Sequence, residues 1–190
     1  MPTPRLLIVA GSNGAGKSTF AVPYAAQQGL PFLNADVLTR EVAARGEEQA
    51  LVKAARLFLR KLNDAIDARE SVCFETTLSG RYVESVVQRA RAAGYRIELV
   101  FIFVASADIA VQRVAGRVKK GGHDVPEEDV RRRFQRTLIN FESLKREADV
   151  YRLFYSSSRG IVLVRTYEEG RLKIIDQELS QRYEALLQQS

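Results

Sequence analysis

Short, continuous apolar runs alternate along this chain with longer stretches in which apolar residues recur every three or four positions. The runs at 5–10, 31–34, 72–75 and 97–104 have the length of strands buried on both faces. Between them the spacing is helical. A first helix ends near Gly29, a short one covers 37–45, and a longer one covers about 47–68. The last of these carries Leu51, Ala54, Ala55, Phe58, Leu62 and Ile66 as a core stripe. Residues 81–93 form another helix, stopped by Gly94, a residue suited to a left-handed cap. Ser106 is placed to cap a helix starting at Ala107, which puts Arg113 and Arg117 on one face, one turn apart. Lys119 to Asp124, with Gly121 and Gly122, breaks that helix, and Pro126 opens the next. Its stripe is Val130, Phe134, Thr137, Leu138 and Phe141; Arg131 and Arg133 flank the stripe, while Arg132 and Arg136 point away. At the C-terminal end, 161–166 and 172–175 read as a β-hairpin across Glu168-Glu169-Gly170. Strands that alternate with helices predict an α/β fold, a mostly parallel central sheet flanked by helices.

At 190 residues the chain reads as one domain spanning 1–190. With 46% hydrophobic and 27% charged residues it has the balance of a globular protein. One cysteine, Cys73, forms no internal disulfide and fits a reducing, cytoplasmic setting. No apolar run is long enough to span a membrane. The net charge of +6 changes the picture once it is located. Residues 113–136 hold eight basic residues against four acidic ones, a net +4, and the rest of the chain contributes only +2. A focused patch fits a phosphate clamp better than it fits a broad nucleic-acid surface; a solvated helix face is the plainer alternative.

Residues 11–18 read Gly-Ser-Asn-Gly-Ala-Gly-Lys-Ser, the phosphate-binding loop G-x-x-x-x-G-K-[ST] between a strand and a helix. Gly11, Gly14 and Gly16 let the backbone approach a polyphosphate, and Ser12, Asn13 and Ala15 contribute N–H groups. Lys17 reaches the β- and γ-phosphates of ATP or GTP, Ser18 is the expected Mg²⁺ ligand, and Thr19 continues into the helix.

The loop alone names a nucleoside triphosphate and no reaction. The Asn-Lys-x-Asp element of GTPases is missing, and Leu78-Ser79-Gly80-Arg81-Tyr82 starts like the ABC signature and then departs. Strand 97–104 ends in Ala105-Ser106, without the metal-binding Asp of motor-type ATPases. These absences, with the arginine-rich segment 113–136 read as a closing lid, favour a kinase acting on a small acceptor. Asp36, just after the second strand, is the candidate base for the acceptor hydroxyl; it can equally be the N-cap of helix 37–45. Glu75 ends the third strand and is placed to bind acceptor hydroxyls or a metal-bound water. His123 reads as a loop residue. Arg117 and Arg133 are the leading transition-state arginines, with Arg113 and Arg131 as secondary lid candidates. A polynucleotide or RNA kinase, and a non-catalytic nucleotide-dependent switch that binds a protein, are the competing readings.

The chain resembles the short, single-domain branch of the zeta toxin family of P-loop kinases. The resemblance rests on Gly11 to Thr19, Asn34-Ala35-Asp36, Glu75-Thr76-Thr77-Leu78, and the segment Arg117 to Pro126 followed by Arg131-Arg132-Arg133-Phe134. It implies a P-loop kinase fold with an arginine-rich lid, and transfer of phosphate from ATP or GTP, with Mg²⁺, to a ring hydroxyl of a UDP-N-acetyl sugar such as UDP-N-acetylglucosamine. It makes Asp36 the base, Lys17 the phosphate anchor, Arg117 and Arg133 the clamp, and Glu75 and Thr77 the acceptor contacts. It also implies a possible antitoxin partner. Where the family often has Asp-Asn-Ser near the nucleobase, this chain has Tyr155-Ser156-Ser157-Ser158.

Overall fold

A computed structural model describes residues 2–44, 49–122 and 124–188, with the side chain of Asp36 outside the description. The start of the helix expected at 47, and His123, therefore lie outside the described residues.

The strand expectations are met in the order that the apolar runs suggest. β1 (Arg5–Gly11) supplies Leu6, Leu7, Ile8, Val9 and Ala10, all fully buried. It is followed by α1 (Lys17–Gln27), β2 (Phe32–Leu33), α2 (Ala35–Ala44), α3 (Ala50–Asp67) and β3 (Val72–Thr76). Then come α4 (Tyr82–Ala92), β4 (Arg96–Phe103), α5 (Ala107–Val118) and α6 (Glu127–Leu144). The chain closes with β5 (Val150–Ser157), β6 (Gly160–Glu168), β7 (Arg171–Ile174) and α7 (Gln177–Gln188). The seven strands lie in the order β2-β3-β1-β4-β5-β6-β7. The first five in that row pair in parallel, and β6 and β7 are antiparallel additions. Sequence reasoning singled out neither β5 nor α7.

This order decides where ligands can bind. From β1 the chain crosses to β2 and β3 on one side, and from β3 it crosses back to β4 on the other. The carboxyl end of β1 is therefore a topological switch point, the place where open α/β sheets hold ligands. Gly11, the last residue of β1, pairs with Ile102 on one side, and Ala10 pairs with Thr76 on the other. At the opposite end of the sheet Glu98 is buried and draws in Arg5 at 2.7 Å, Arg96 at 3.7 Å and Arg152 at 3.9 Å.

Four helices close with one backbone device. In α1, α3 and α4 the residue after the cap is left-handed (Gly29, Arg69 and Gly94), and in α5 it is the second residue after the cap, Gly121. The next amide then reaches back to a carbonyl five residues earlier, as in Leu30 to Ala25, Glu70 to Ala65, Tyr95 to Ala90 and Gly122 to Arg117. The expected stop at Gly94 is one of these.

The lid expectation narrows. Val130, Phe134, Leu138, Phe141 and Leu144 of α6 are core residues, and Phe141 stacks on Phe101 of β4 with centroids 4.2 Å apart. Ala110 and Val114 bury α5 likewise. Much of 113–136 is thus packed helix, and in the connection between the two helices, 119–126, the described residues are exposed or half-buried, apart from Val125, which joins the core.

Candidate active site

The P-loop takes its shape from two close approaches. Gly14 has φ +75°, and a methyl group there would lie 2.7 Å from the Ala110 carbonyl oxygen and 3.2 Å from Arg113 Cβ. Only glycine fits both the angle and the gap. Gly16, at φ 87°, takes the N-cap position of α1 without any side-chain cap, and the first turn carries no acidic residue. The N–H end of α1 thus faces the loop without a side-chain cap, and the helix dipole there favours an anion. The Lys17 ammonium folds back and donates to the Ser12 carbonyl at 2.9 Å, and the Ala15 amide donates to the same oxygen at 3.2 Å. Ser12 Oγ and Asn13 Oδ1 are buried in the loop with no hydrogen-bond partner among the described residues.

Beside the loop stands a carboxylate. The Ser18 hydroxyl donates to Glu75 Oε1 at 2.9 Å, and Asn34 Nδ2 donates to the same oxygen at 2.9 Å. The register explains why they meet. Leu33 of β2 pairs with Phe74, so the next residues on each strand, Asn34 and Glu75, adjoin. Val9 pairs with Glu75, which brings the P-loop strand alongside. Asn34 Oδ1 also accepts the Val37 amide at 3.2 Å. Asn34 therefore caps α2, and the cap role considered for Asp36 is corrected: Asp36 is the second residue of that helix. It follows Asn34 by two residues, and its side chain is outside the described residues.

The segment after β3 is pinned from two sides. Thr76 Oγ1 accepts from the Leu78 amide at 3.0 Å and from the Tyr82 hydroxyl at 2.9 Å. Burial pushes that Tyr82 hydroxyl's pKa up, and the bond to Thr76 opposes the shift. Leu78 is buried yet left-handed, at φ 55°, a strained conformation for a branched side chain. From α6, the Asn140 amide donates to the Leu78 carbonyl at 2.7 Å, and the Thr137 hydroxyl lies 2.6 Å from both the Thr77 and Arg133 carbonyls. Thr77 Oγ1 pairs with Ser79 Oγ at 2.9 Å. Sequence reasoning gave Thr137 only a core role and did not use Asn140.

The four arginine candidates separate. Arg113 faces the P-loop: Nη1 donates to Ser156 Oγ at 2.8 Å and to the Gly14 carbonyl at 3.4 Å. Arg117 is exposed near the end of α5, with Gly122 seated against its stem. Arg133 is partly buried and pairs with Asp129 at 3.2 Å. Arg131 binds Asp108 at 2.6 Å and Glu127 at 2.8 Å. It lines a cavity of about 370 Å³ with Ser106, Ala107, Arg132, Phe134, Gln135 and Leu186. Asp108 and Arg113 are five residues apart, about 140° around α5, so Arg131 sits on a different flank from the P-loop. Arg132 is held by Asp129. The basic run of α6 is thus largely neutralised by its own first turn.

With this geometry in view, the family can be assigned. Residues 6–142 match the model of the AAA domain family. The chain belongs to that family. The matched stretch runs from β1 through the P-loop, Asn34, Glu75 and most of α6. A Haemophilus influenzae protein described as uncharacterized is 25% identical over 130 residues, covering 68% of this chain and 92% of its own length. Among solved structures, AvrRxo1-ORF1:AvrRxo1-ORF2 with ATP aligns at TM-score 0.74 and 21% identity, over 97% of this chain and 64% of that one. This chain therefore spans less than two thirds of that relative. The PezAT toxin–antitoxin system of Streptococcus pneumoniae aligns at TM-score 0.65 and 14% identity, over 100% of this chain and 87% of that one. A gluconokinase from Sinorhizobium meliloti 1021 aligns at TM-score 0.51 and 18% identity, covering 100% and 94%. These likenesses establish a P-loop NTPase fold of the kinase type: mixed α/β, mostly parallel, flanked by helices. The carboxylate missing from the end of β4 is found two strands away, across β1, where Glu75 of β3 accepts from the Ser18 hydroxyl. Among the described residues no helix is long and apolar enough to cross a membrane.

Proposed function

We propose that this protein is a small-molecule kinase that moves the γ-phosphoryl group of ATP or GTP to a hydroxyl of a small acceptor. The observation that carries this reading is the Ser18–Glu75–Asn34 set: a carboxylate hydrogen-bonded to the P-loop serine and, through Asn34, to the start of α2. A hydrolase needs only the nucleotide side of such a site. Here polar side chains continue from the P-loop through Glu75 and Asn34 to the start of α2 and to Thr77 and Ser79, and these are the groups assigned to a second substrate.

The residues present fit Mg²⁺. The Ser18 hydroxyl and Glu75 carboxylate are hard oxygen donors 2.9 Å apart, and Mg²⁺ on a nucleotide commonly takes one or two protein oxygens, with phosphate and water supplying the rest. Bound there, the ion would neutralise charge on the β- and γ-phosphates. The loop from Gly11 through Ser12, Asn13, Gly14, Ala15 and Gly16, with the first turn at Lys17, Ser18 and Thr19, holds the donor. Lys17 leaves the Ser12 carbonyl for the phosphates. Asp36, on the first turn of α2, accepts the proton of the acceptor hydroxyl. Glu75 and Thr77 orient that acceptor, and Arg117 and Arg133 screen the charge on the transferred group as 119–126 closes. Arg131, tied to Asp108 and Glu127, has no part in this assignment.

The four motif pieces that resemble the zeta toxins, together with the fold shared with the PezAT structure, support a UDP-N-acetyl sugar as the acceptor, a cytoplasmic setting and an antitoxin as a protein partner. Self-pairing of Arg131, Arg132 and Arg133 with Asp108, Glu127 and Asp129 speaks against a polynucleotide track. The test is to incubate the protein with Mg²⁺, ATP or GTP, and either a panel of UDP-sugars or 5′-hydroxyl oligonucleotides, reading phosphate-mass gain by mass spectrometry. Gain on a UDP-sugar, lost in Asp36→Asn, is expected. Labelling of oligonucleotides alone, or turnover unchanged in Asp36→Asn, overturns the proposal.

A further inference from the structure

Arg113 shares a helix face with Arg117, yet its guanidinium is engaged well away from the connection that follows α5. Nη1 donates to Ser156 Oγ at 2.8 Å and lies 3.4 Å from the Gly14 carbonyl, and Nη2 donates to the Ser156 carbonyl at 3.2 Å. Ser156 is 5% exposed and lies one residue from the end of β5. The β5–β6 turn is itself closed: Ser157 Oγ accepts the Arg159 amide at 3.0 Å and donates to the Gly160 carbonyl at 3.1 Å. That turn leans over the loop, because a methyl group on Gly16 would lie 3.5 Å from Ile161 Cδ1 and 3.7 Å from Ser156 Oγ. The P-loop, α5 and the end of β5 thus converge on one planar cation.

We propose that Arg113 and Ser156 form a positioning clasp for the donor-binding loop. By holding the Gly14 carbonyl outward, the guanidinium keeps the adjoining peptide units with their N–H groups turned toward the phosphates. By taking both Ser156 oxygens it fixes the β5–β6 turn beside Gly16. Arg113 works through the loop backbone and does not touch the transferred group. A lysine would keep the charge without the fork that spans three acceptors.

This inference rests on the P-loop kinase reading, and the test separates the two. Affinity for a non-hydrolysable ATP analogue with Mg²⁺ is measured by calorimetry for wild type, Arg113→Met, Arg113→Lys, Ser156→Ala and the double variant R113M/S156A. Donor KM, kcat and Tm are recorded beside it. Loss of charge-assisted hydrogen bonds is expected to weaken analogue binding and raise donor KM about tenfold in Arg113→Met, with kcat within about threefold. Arg113→Lys recovers little of that loss. The double variant binds no worse than Arg113→Met, because the two groups act as a unit. A drop in Tm with unchanged analogue affinity means a fold brace only and overturns the clasp, as does a fall in kcat at constant KM. If Arg113→Met fails to fold, unchanged affinity in Ser156→Ala overturns it. Wild type that binds the analogue but phosphorylates no acceptor sinks the acceptor reading, while the affinity series still decides the clasp. Wild type that binds no nucleotide overturns both.

Discussion

Gly122 offers the sharpest separation between stability and catalysis. It is outside the left-handed region, so alanine suits its backbone. A Cβ there would nevertheless lie 2.5 Å from Arg117 Cγ, 3.1 Å from Cδ and 3.0 Å from the Arg117 carbonyl. Cγ sits near the root of the side chain, so relief requires rotation about χ1, and the guanidinium swings with it. Arg117 is exposed, and an off-rotamer side chain costs about 0.5–1.5 kcal/mol. For a domain of this size that is a Tm loss of about 2–4 °C per kcal/mol. An arginine that screens charge in phosphoryl transfer is worth up to about 10³–10⁵ in kcat, and displacing it by several ångströms forfeits most of that. Gly122→Ala should therefore melt within a few degrees of wild type, bind the ATP analogue normally, and lose at least about a hundredfold in kcat, as Arg117→Ala does. The assay pairs thermal denaturation with steady-state phosphoryl transfer. A Gly122→Ala variant that keeps kcat while Arg117→Ala loses it would refute the link between the turn and the arginine.

Gly116, in the exposed interior of α5, has open space where a methyl would go, so Gly116→Ala should add about 0.5–1 kcal/mol in urea unfolding and leave kcat alone. Asn140→Ala removes the donor to the carbonyl of the left-handed Leu78; it should cost about 1 kcal/mol and raise acceptor KM while donor KM stays put. Glu98→Leu strips Arg5 and Arg152 of their buried carboxylate and should destabilise by about 2–4 kcal/mol in the same unfolding assay. Burial, with the charge of Glu75 adding to it, pushes the Cys73 thiol up to about 12 from 9.0. A thiolate-selective reagent should leave it unlabelled at pH 8 until the chain unfolds. Because the folded pKa lies above the unfolded one, the stability gap between wild type and Cys73→Ala is complete below pH 9 and should narrow as pH rises from 9 toward 12.

What the sequence revealed of the fold follows the strength of its periodicities. β1 and β4 are interior strands covered on both faces, so each is an unbroken apolar run that local reading finds. β5 is interior too, but Arg152 reaches the Glu98 cluster and Phe154 and Tyr155 are only half covered, which breaks the run. Its partner on one side is also antiparallel with a register shift at Leu153/Phe154, a long-range feature with no local mark. α7 shows the same limit from the other side. It buries only Ser180, Tyr183 and Leu186 against a polar remainder, a stripe too thin to stand out until the sheet supplies its other half.

The site divides along the same physical line. Residues whose role depends on local backbone, the P-loop glycines, Lys17 and Ser18, were legible because the motif encodes its own geometry. Residues whose role depends on what another element brings were not. The helical wheel placed Arg131 and Arg133 alike on the flanks of the stripe, yet a wheel knows only its own axis. Asp108, offered by the first turn of α5, captures Arg131, and its distance from Arg131 in sequence gave no sign of this. Arg113 was expected only as a secondary lid candidate for the converse reason: its partners Gly14 and Ser156 lie 99 and 43 residues away, on the loop and on the strand that periodicity missed. A wheel thus ranks which side chains can leave the core, but charge partners on neighbouring elements decide which of them remain available to a substrate. By that criterion the proposed donor-side clasp falls to Arg113, and the proposed closure over the phosphates falls to Arg117 and the turn built on Gly121 and Gly122.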